Sequence, residues 1–319
     1  MMIRGLLALL WIFTSGAMAQ AFPSKPVTVV VPFPPGGGVD FIARIVADKL
    51  PARLGRPVVI ENRGGALGML GASVAARAAP DGHTLFLIPN ALIVAPYILP
   101  KGAATVEMTR EFAPVIMIVS NPIVLAVSSK LGVNTVAELV ALARSRPGLP
   151  YTTPGNGSSQ HILGEQFKRA AGVDLQHIGY KGLGPAIQDA LGGQVSVLMI
   201  PFAGTIQHIR SGAFQVLAVA NVRRSPHLPN VPSMAELGYA SVTDKSWMGL
   251  LAPAATPPAV IVRLNEELNA ILALPDVREK LLASGLELEG GRPEELGAQM
   301  RDDDRRYAGL IAELAIKAE

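Results

Sequence analysis

Pro32-Phe33-Pro34-Pro35-Gly36-Gly37-Gly38-Val39-Asp40 is the stretch whose residue types could hold a ligand. It follows the β-branched run Val27-Thr28-Val29-Val30-Val31 and precedes a helical pattern. A strand that stops at prolines, turns through glycines and opens a helix leaves backbone N–H groups without intrahelical partners. It does so at the positive end of the helix dipole, which favours a small anion. Four more turns share this chemistry: Glu61–Gly68, Leu149–Ser159, Tyr180–Ala186 and Ile200–Thr205. Ser158 or Ser159 suits an N-cap in the second of these. Asp40 favours the helix start by about 0.3–1 kcal/mol and argues against a bare anion lying right beside it. Glu61 and Arg63 read as a solvated pair, and Asn62 as a stabiliser of its turn.

The elements that must position these turns follow from apolar periodicity. Strands are expected at 27–31, 57–60, 84–88, 115–119, 123–127, 149–152, 176–178, 195–199, 215–220 and 248–252. Helices are expected at 39–54, 67–78, 135–145, 158–171, 183–191, 204–211, 232–237, 258–272, 276–284 and 293–315. Phe41, Ile42, Ile45, Val46, Leu50 and Leu54 form the buried stripe of the first helix. Alternating strands and helices imply an α/β fold with mostly parallel sheets flanked by helices, and ligands at the strands' carboxyl ends. The run 113–127 is long enough to pass from one sheet to a second, with a return near 246–253. The expected division is 22–122 plus 250–319 as one domain and 123–249 as the other, with two consecutive domains as the alternative.

Composition narrows the function classes. Net charge is only +3, and removing residues 1–19, whose one charge is Arg4, takes it to +2. That excludes a nucleic-acid footprint. Residues 1–19 read as a signal peptide: Arg4, the apolar run Gly5–Phe13, too short to span a bilayer, and the cleavage pattern Ala17-Met18-Ala19. Ala19-Gln20-Ala21 offers an alternative cut. With no cysteine there is neither a disulfide nor a lipidated cysteine at the cut. The mature protein is expected to be soluble and periplasmic. An enzyme is the rival class. The chain lacks a P-loop, G-x-G-x-x-G and Gly-x-Ser-x-Gly, and its five histidines are scattered without metal-ligand spacing. No catalytic residue, metal or cofactor is expected.

Several ordered motifs resemble one family. They include Val31-Pro32-Phe33-Pro34-Pro35-Gly36-Gly37 with Asp40 and Ala43-Arg44, then Val58-Val59-Ile60-Glu61-Asn62-Arg63 and Pro80-Asp81-Gly82-His83-Thr84-Leu85. Further on come Gly155-Asn156-Gly157-Ser158 with His161, Tyr180-Lys181-Gly182 with Pro185-Ala186, Leu228-Pro229-Asn230-Val231-Pro232-Ser233, and Trp247-Met248-Gly249-Leu250 with Ala252-Pro253. Across about residues 23–290 the chain resembles the periplasmic receptors of tripartite tricarboxylate transporters, the Bug receptors. The resemblance implies a two-domain Venus-flytrap that binds a small carboxylate in the interdomain cleft. It implies a membrane permease as partner, or a sensor-kinase ectodomain in the signalling alternative, and a monomer.

The resemblance also implies which turns hold the ligand. From the first come Phe33, Pro35, Gly36, Gly37, Gly38 and Asp40, and from the second Gly65, Ala66 and Leu67. The third supplies Thr152, Thr153, Asn156, Gly157, Ser158 and His161, and the fourth Tyr180, Lys181 and Gly182. Lys181 fits a ligand role or a surface role equally, and His161 fits helix packing or a contact behind the ligand. Leu67 adds bulk where the family often has glycine, and Pro154 stands where a small residue is usual. Amino-acid-binding members are expected to place an aspartate after strand 195–199, where this chain has Ile200-Pro201-Phe202. A buried ammonium without a carboxylate is costly, so the expected ligand has no amino group. Leu67, Phe33 and Phe202 fit either an apolar lining, favouring a longer dicarboxylate or an aromatic acid, or simple core positions.

Overall fold

A computed structural model describes residues 22–100, 102, 106–180 and 182–314. The expected signal peptide and Lys181 lie outside the described residues. In chain order the elements are β1 Val27–Val31, α1 Gly38–Leu54, β2 Val58–Asn62, α2 Met69–Ala76, β3 Thr84–Pro89, α3 Ala91–Ile98, α4 Met108–Glu111 and β4 Phe112–Asn121. Then come β5 Ile123–Ser128, α5 Val136–Ser145, β6 Leu149–Thr153, α6 Ser159–Ala171, β7 Leu175–Gly179, α7 Leu183–Gly192, β8 Val197–Pro201, α8 Ile206–Arg210 and β9 Phe214–Val219. The chain closes with β10 Ser246–Pro253, α9 Pro258–Leu272, α10 Pro275–Ala283, β11 Glu287–Gly290 and α11 Pro293–Leu314.

These elements build two helix-flanked sheets. One has six strands in the order β11-β4-β10-β3-β1-β2, the other five in the order β7-β6-β8-β5-β9. Parallel pairing holds in the βαβ portions, where β1 pairs with β2 and β3, and β6 with β7 and β8. Strands β5 and β10 enter from the other sheet; β5 runs against β8 and β9, and β10 against β3 and β4, so both sheets are mixed. The crossing is a single residue, Pro122, between β4 and β5. Proline has no N–H to place in a ladder, so pairing ends there. Its carbonyl instead accepts from Phe202 N at 2.8 Å.

Burial explains the strand composition. Val27, Val29, Val30 and Val31 are all buried, because α1 and α9 cover one face of β1 while α2 and α3 cover the other. The second sheet is covered likewise, by Leu139 and Phe167 on one side and Ile187 and Ile206 on the other. A fifth cluster, Val94, Ile162, Tyr307 and Ile311, joins α3, α6 and α11 and so ties helices of both sheets together.

Four elements depart from the sequence expectation, the first being the one-turn helix α4 at Met108–Glu111, where no helix was expected. The helix expected at 232–237 is a single turn: Ser233 and Glu236 cap each other reciprocally, but the chain bends back when Met234 N binds Val219 O at 2.8 Å. Helix α3 was not anticipated, because Ala91–Ile98 is apolar on nearly every face and contains Pro96. Strand β11 was not anticipated either; it is a short edge strand held by pairing to β4 rather than by its own pattern.

The return to the first sheet is clamped by α11. Arg306 pairs with Asp244, lies 3.3 Å from Asp303 and donates to Thr243 O at 3.1 Å. The Tyr307 hydroxyl donates to Asp244 at 2.5 Å, and Trp247 Nε1 donates to Asp303 at 2.7 Å. Both carboxylates are buried, so removing their cation leaves uncompensated charge. Arg306→Met is expected to lose about 3–5 kcal/mol of stability, measured by urea unfolding.

Candidate functional site

The first glycine turn is folded around a buried carboxylate. Asp40, only 2% exposed, accepts from Gly36 N at 2.9 Å, from Arg44 Nε at 2.8 Å and Arg44 NH2 at 3.1 Å, and from Asn62 Nδ2 at 2.9 Å. Asn62 Nδ2 also reaches Phe33 O at 3.0 Å, tying β2 to the turn. The Arg44 guanidinium, helped by the Gly36 N–H and Asn62, outweighs burial and holds the Asp40 carboxyl at about 2. Asp40 is thus ionised, and its support for the fold is lost only as pH falls below the ordinary carboxylate range toward that value. Gly36 itself has φ +89°, a conformation side chains resist. Asp40 was expected to touch ligand; its oxygens are instead spent beneath the turn, and it positions the amides. Gly37 and Gly38 N–H have no acceptor among the described residues, and the space a Cβ would occupy at Gly38 is open.

Those glycines face a cavity of about 480 Å³ between the two sheets. From the first sheet and its helices it is lined by Gly36, Gly37, Gly38, Phe41, Ile42, Asn121, Met248, Ser284 and Leu286. From the second side come Leu183, Pro201, Ala203 and Gly204. The volume suits a small-molecule site, and among the described residues the lining carries no charged side chain. Asn121 was not anticipated. It ends β4, and its Oδ1 accepts from Ala203 N at 3.1 Å across the junction of the sheets. That bond fixes the amide's orientation and leaves its NH₂ for the cavity. No local pattern marks Asn121, since its partner lies far along the chain.

The β2–α2 turn locks onto the first. A Cβ on Gly64 would sit 3.3 Å from the Pro34 ring, and one on Gly71 only 2.8 Å from Arg63 O and 3.1 Å from Pro32 Cα. Gly65, Ala66, Leu67 and Gly68 all have positive φ, with Ala66 at +47° and Leu67 at +53°. Leu67 is half exposed and outside the lining of the cavity. Glu61 and Arg63 form the exposed pair expected of them.

The β6–α6 turn is built differently from expectation. Thr152 and Thr153 are fully buried. The Thr152 hydroxyl donates to Ile178 O at 3.1 Å, and that of Thr153 to Gly155 O at 3.2 Å. They hold the turn from behind. Ser158 caps α6, accepting from His161 N at 3.2 Å and donating to Gly155 O at 2.7 Å. His161 Nδ1 accepts from Gly157 N at 3.0 Å. Asn156 Oδ1 fills the space beside Gly179, and Gly157 packs on Ile98 of α3.

The β7–α7 turn is tied to it: Gly182 N donates to Pro154 O at 2.8 Å and Tyr180 N to Thr153 O at 3.4 Å. The Tyr180 phenol, pushed up to about 12 by burial and by Asp189, donates to Asp189 at 2.6 Å. Of the expected apolar lining, Phe202 is buried in the core under β8 and Phe33 packs against the core behind β1. Phe41, Leu183 and Met248 supply the apolar surface instead. Pro35 is exposed beside the glycines. Among the described residues, Gly36, Gly37, Gly38 and Pro201 are therefore the expected ones that meet in this cavity.

Among the described residues, no cluster of His, Asp and Glu could hold a metal, and no helix is long and apolar enough to cross a membrane. The strained turn yields one test. Leu67→Gly relieves a left-handed conformation worth about 1–2 kcal/mol, offset in part by glycine's greater freedom when unfolded. A higher thermal midpoint is expected by calorimetry.

Known proteins place this architecture. The solved structure of the periplasmic binding protein BugD is 32% identical, with TM-score 0.76, covering 93% of this chain and 100% of that one. A Rhodopseudomonas palustris protein with adipate is 30% identical with TM-score 0.80, covering 93% and 100%. MatC of the same organism, with bound malate, is 29% identical with TM-score 0.75, covering 91% and 100%. The pattern of the tripartite tricarboxylate transporter family receptor, TctC, matches residues 42–316. The chain therefore belongs to the TctC family, whose members are solute-binding receptors and not enzymes.

Proposed function

We propose that this protein is exported through residues 1–19 and captures a small organic carboxylate without an amino group, as a monomer, for a tripartite tricarboxylate permease. The two lobes follow the expected division of 22–122 plus 250–319 and 123–249, except that residues 246–249 go with the first lobe, because β10 pairs from Ser246 onward with β4 of the first sheet. The observation that carries the reading is the cavity where the unpaired Gly37 and Gly38 amides face Asn121 and the Pro201–Gly204 turn. Those donors suit a carboxylate, and the lining offers no carboxylate to an ammonium. Its apolar part, Phe41, Leu183 and Met248, favours a longer dicarboxylate or an aromatic acid. The adipate and malate of the two solved relatives are both dicarboxylates without an amino group, and adipate is the longer.

The energies suffice without a cationic side chain. A hydrogen bond to a charged group contributes about 1.5–3 kcal/mol, and micromolar affinity requires about 8.2 kcal/mol. Several amide donors plus apolar burial reach that value once the cleft closes and excludes water. Ligand contacts to both lobes favour the closed state.

Calorimetric titration of carboxylic acids against their α-amino counterparts tests the reading. Micromolar binding of an acid, with its amino counterpart at least about tenfold weaker, is expected; tight amino-acid binding contradicts it. In the same titration Asn121→Asp keeps an acceptor for Ala203 N–H but replaces the donor with negative charge. An affinity loss of about tenfold or more is expected with little change in thermal midpoint.

A further inference from the structure

Behind the β6–α6 turn lies a histidine pair. The rings of His161 on α6 and His177 on β7 stack with centroids 3.7 Å apart and planes 9° from parallel. Each ring is bonded to the turn. His161 Nδ1 accepts from Gly157 N at 3.0 Å, so that nitrogen carries no proton. His177 Nε2 shares a hydrogen bond with Thr153 Oγ1 at 2.8 Å, and Thr153 in turn holds Gly155 O. The two histidines thus grip the turn at both ends of Gly155–Gly157.

We propose that the stacked His161–His177 pair is a positioning device for the β6–α6 turn that works only while both rings are uncharged, so that acidification releases the turn and weakens ligand capture. The second half of this inference rests on the expectation, implied by the family resemblance, that this turn contacts ligand, although its described residues do not line the cavity beside Gly37 and Gly38; the first half does not. A proton on His161 Nδ1 would face the Gly157 N–H, donor against donor, and the bond would be lost. Charging both rings would set two cations face to face at stacking distance.

The surroundings do not offset this. On α6, Glu165 Oε1 lies 4.0 Å from His161 Nε2, but Glu165 is already engaged by Lys168 at 2.8 Å and by the Tyr151 hydroxyl of β6 at 2.6 Å. Tyr151 also packs against His177, with centroids 5.0 Å apart. From α3, on the other side of the turn, the neighbour is Ile98, which is uncharged. Burial, opposed by Glu165, lowers the affinity of His161 for a proton. Burial and then His161 itself hold His177 at about 4. A folded-state value below the unfolded one means the pair supports the fold fully above the ordinary histidine range. That support is lost as pH falls toward about 4.

The test has a ligand-free and a ligand-bound arm. In the unliganded protein, the Gly157 amide and the His161 ring are followed by NMR from about pH 7.5 down to about pH 4. The Gly157 signal is expected to lose its hydrogen-bonded shift as the ring gains its proton. In His161→Asn, whose side-chain oxygen can accept from Gly157 without titrating, the shift is expected to persist. Adipate affinity is then measured by calorimetry over the same range for both proteins, so that the probe's own titration cancels in their ratio. The wild-type protein is expected to lose about threefold or more relative to His161→Asn. His177→Gln, which keeps a polar partner for Thr153 while removing the second charge, is expected to reduce the acid sensitivity too, and melting curves at neutral pH check that both variants fold. A His161 ring that titrates while Gly157 stays unmoved overturns the proposal, as do parallel affinity losses in wild type and variant. If the wild type binds no adipate at any pH, the choice of ligand is at fault and the NMR arm still decides the switch.

Discussion

The site depends on one buried carboxylate, Asp40, and its ion pair with the exposed Arg44. Asp40 is held ionised by Arg44 and accepts the Gly36 N–H and the Asn62 amide. Its negative charge is thereby spent inside the protein, at a position where it would otherwise repel an anion. The carboxylate does the folding of the glycine turn, and the amides of Gly37 and Gly38 have no acceptor among the described residues. A cation reaching into the cleft would have attracted anions less selectively, whereas backbone donors fixed by a folded turn impose a direction. Such preorganised donors lose little entropy on binding.

The other turns are fastened to this one or to each other. Pro32 and Pro34 press on Gly68, Gly71 and Gly64, so the β2–α2 turn cannot move independently of the first. On the second sheet, Gly182 N to Pro154 O and Tyr180 N to Thr153 O make the β6–α6 and β7–α7 turns one unit. Between these two assemblies lie short extended segments at Pro122 and near Asp244. The latter is anchored to α11 through Arg306 and Tyr307. Stiff units whose chain passes between them through two short extended segments are suited to hinge closure.

Much of this was legible in the sequence because it is local. Val27–Val31, the positive-φ glycines and the N-cap Ser158 each announce their structure within a few residues. What was illegible is long-range. Thr152 and Thr153 look like ligand hydroxyls in a glycine-rich turn, but strand pairing turns them into the sheet, where Ile178 O and His177 engage them. Phe202 follows a strand like a lining residue, yet lies in the core. Asn121 gains its role only from Ala203, which folding brings beside it. Helix α3 hides because its burial on nearly all sides removes the periodicity that marks a surface helix.

The central claim is that main-chain amides at the start of α1 grip a carboxylate. Titrating the isotopically labelled protein with adipate and following the Gly37 and Gly38 amide resonances tests it most directly. Large, saturable shifts at those two amides are predicted. Saturating binding that leaves both unmoved would contradict the account.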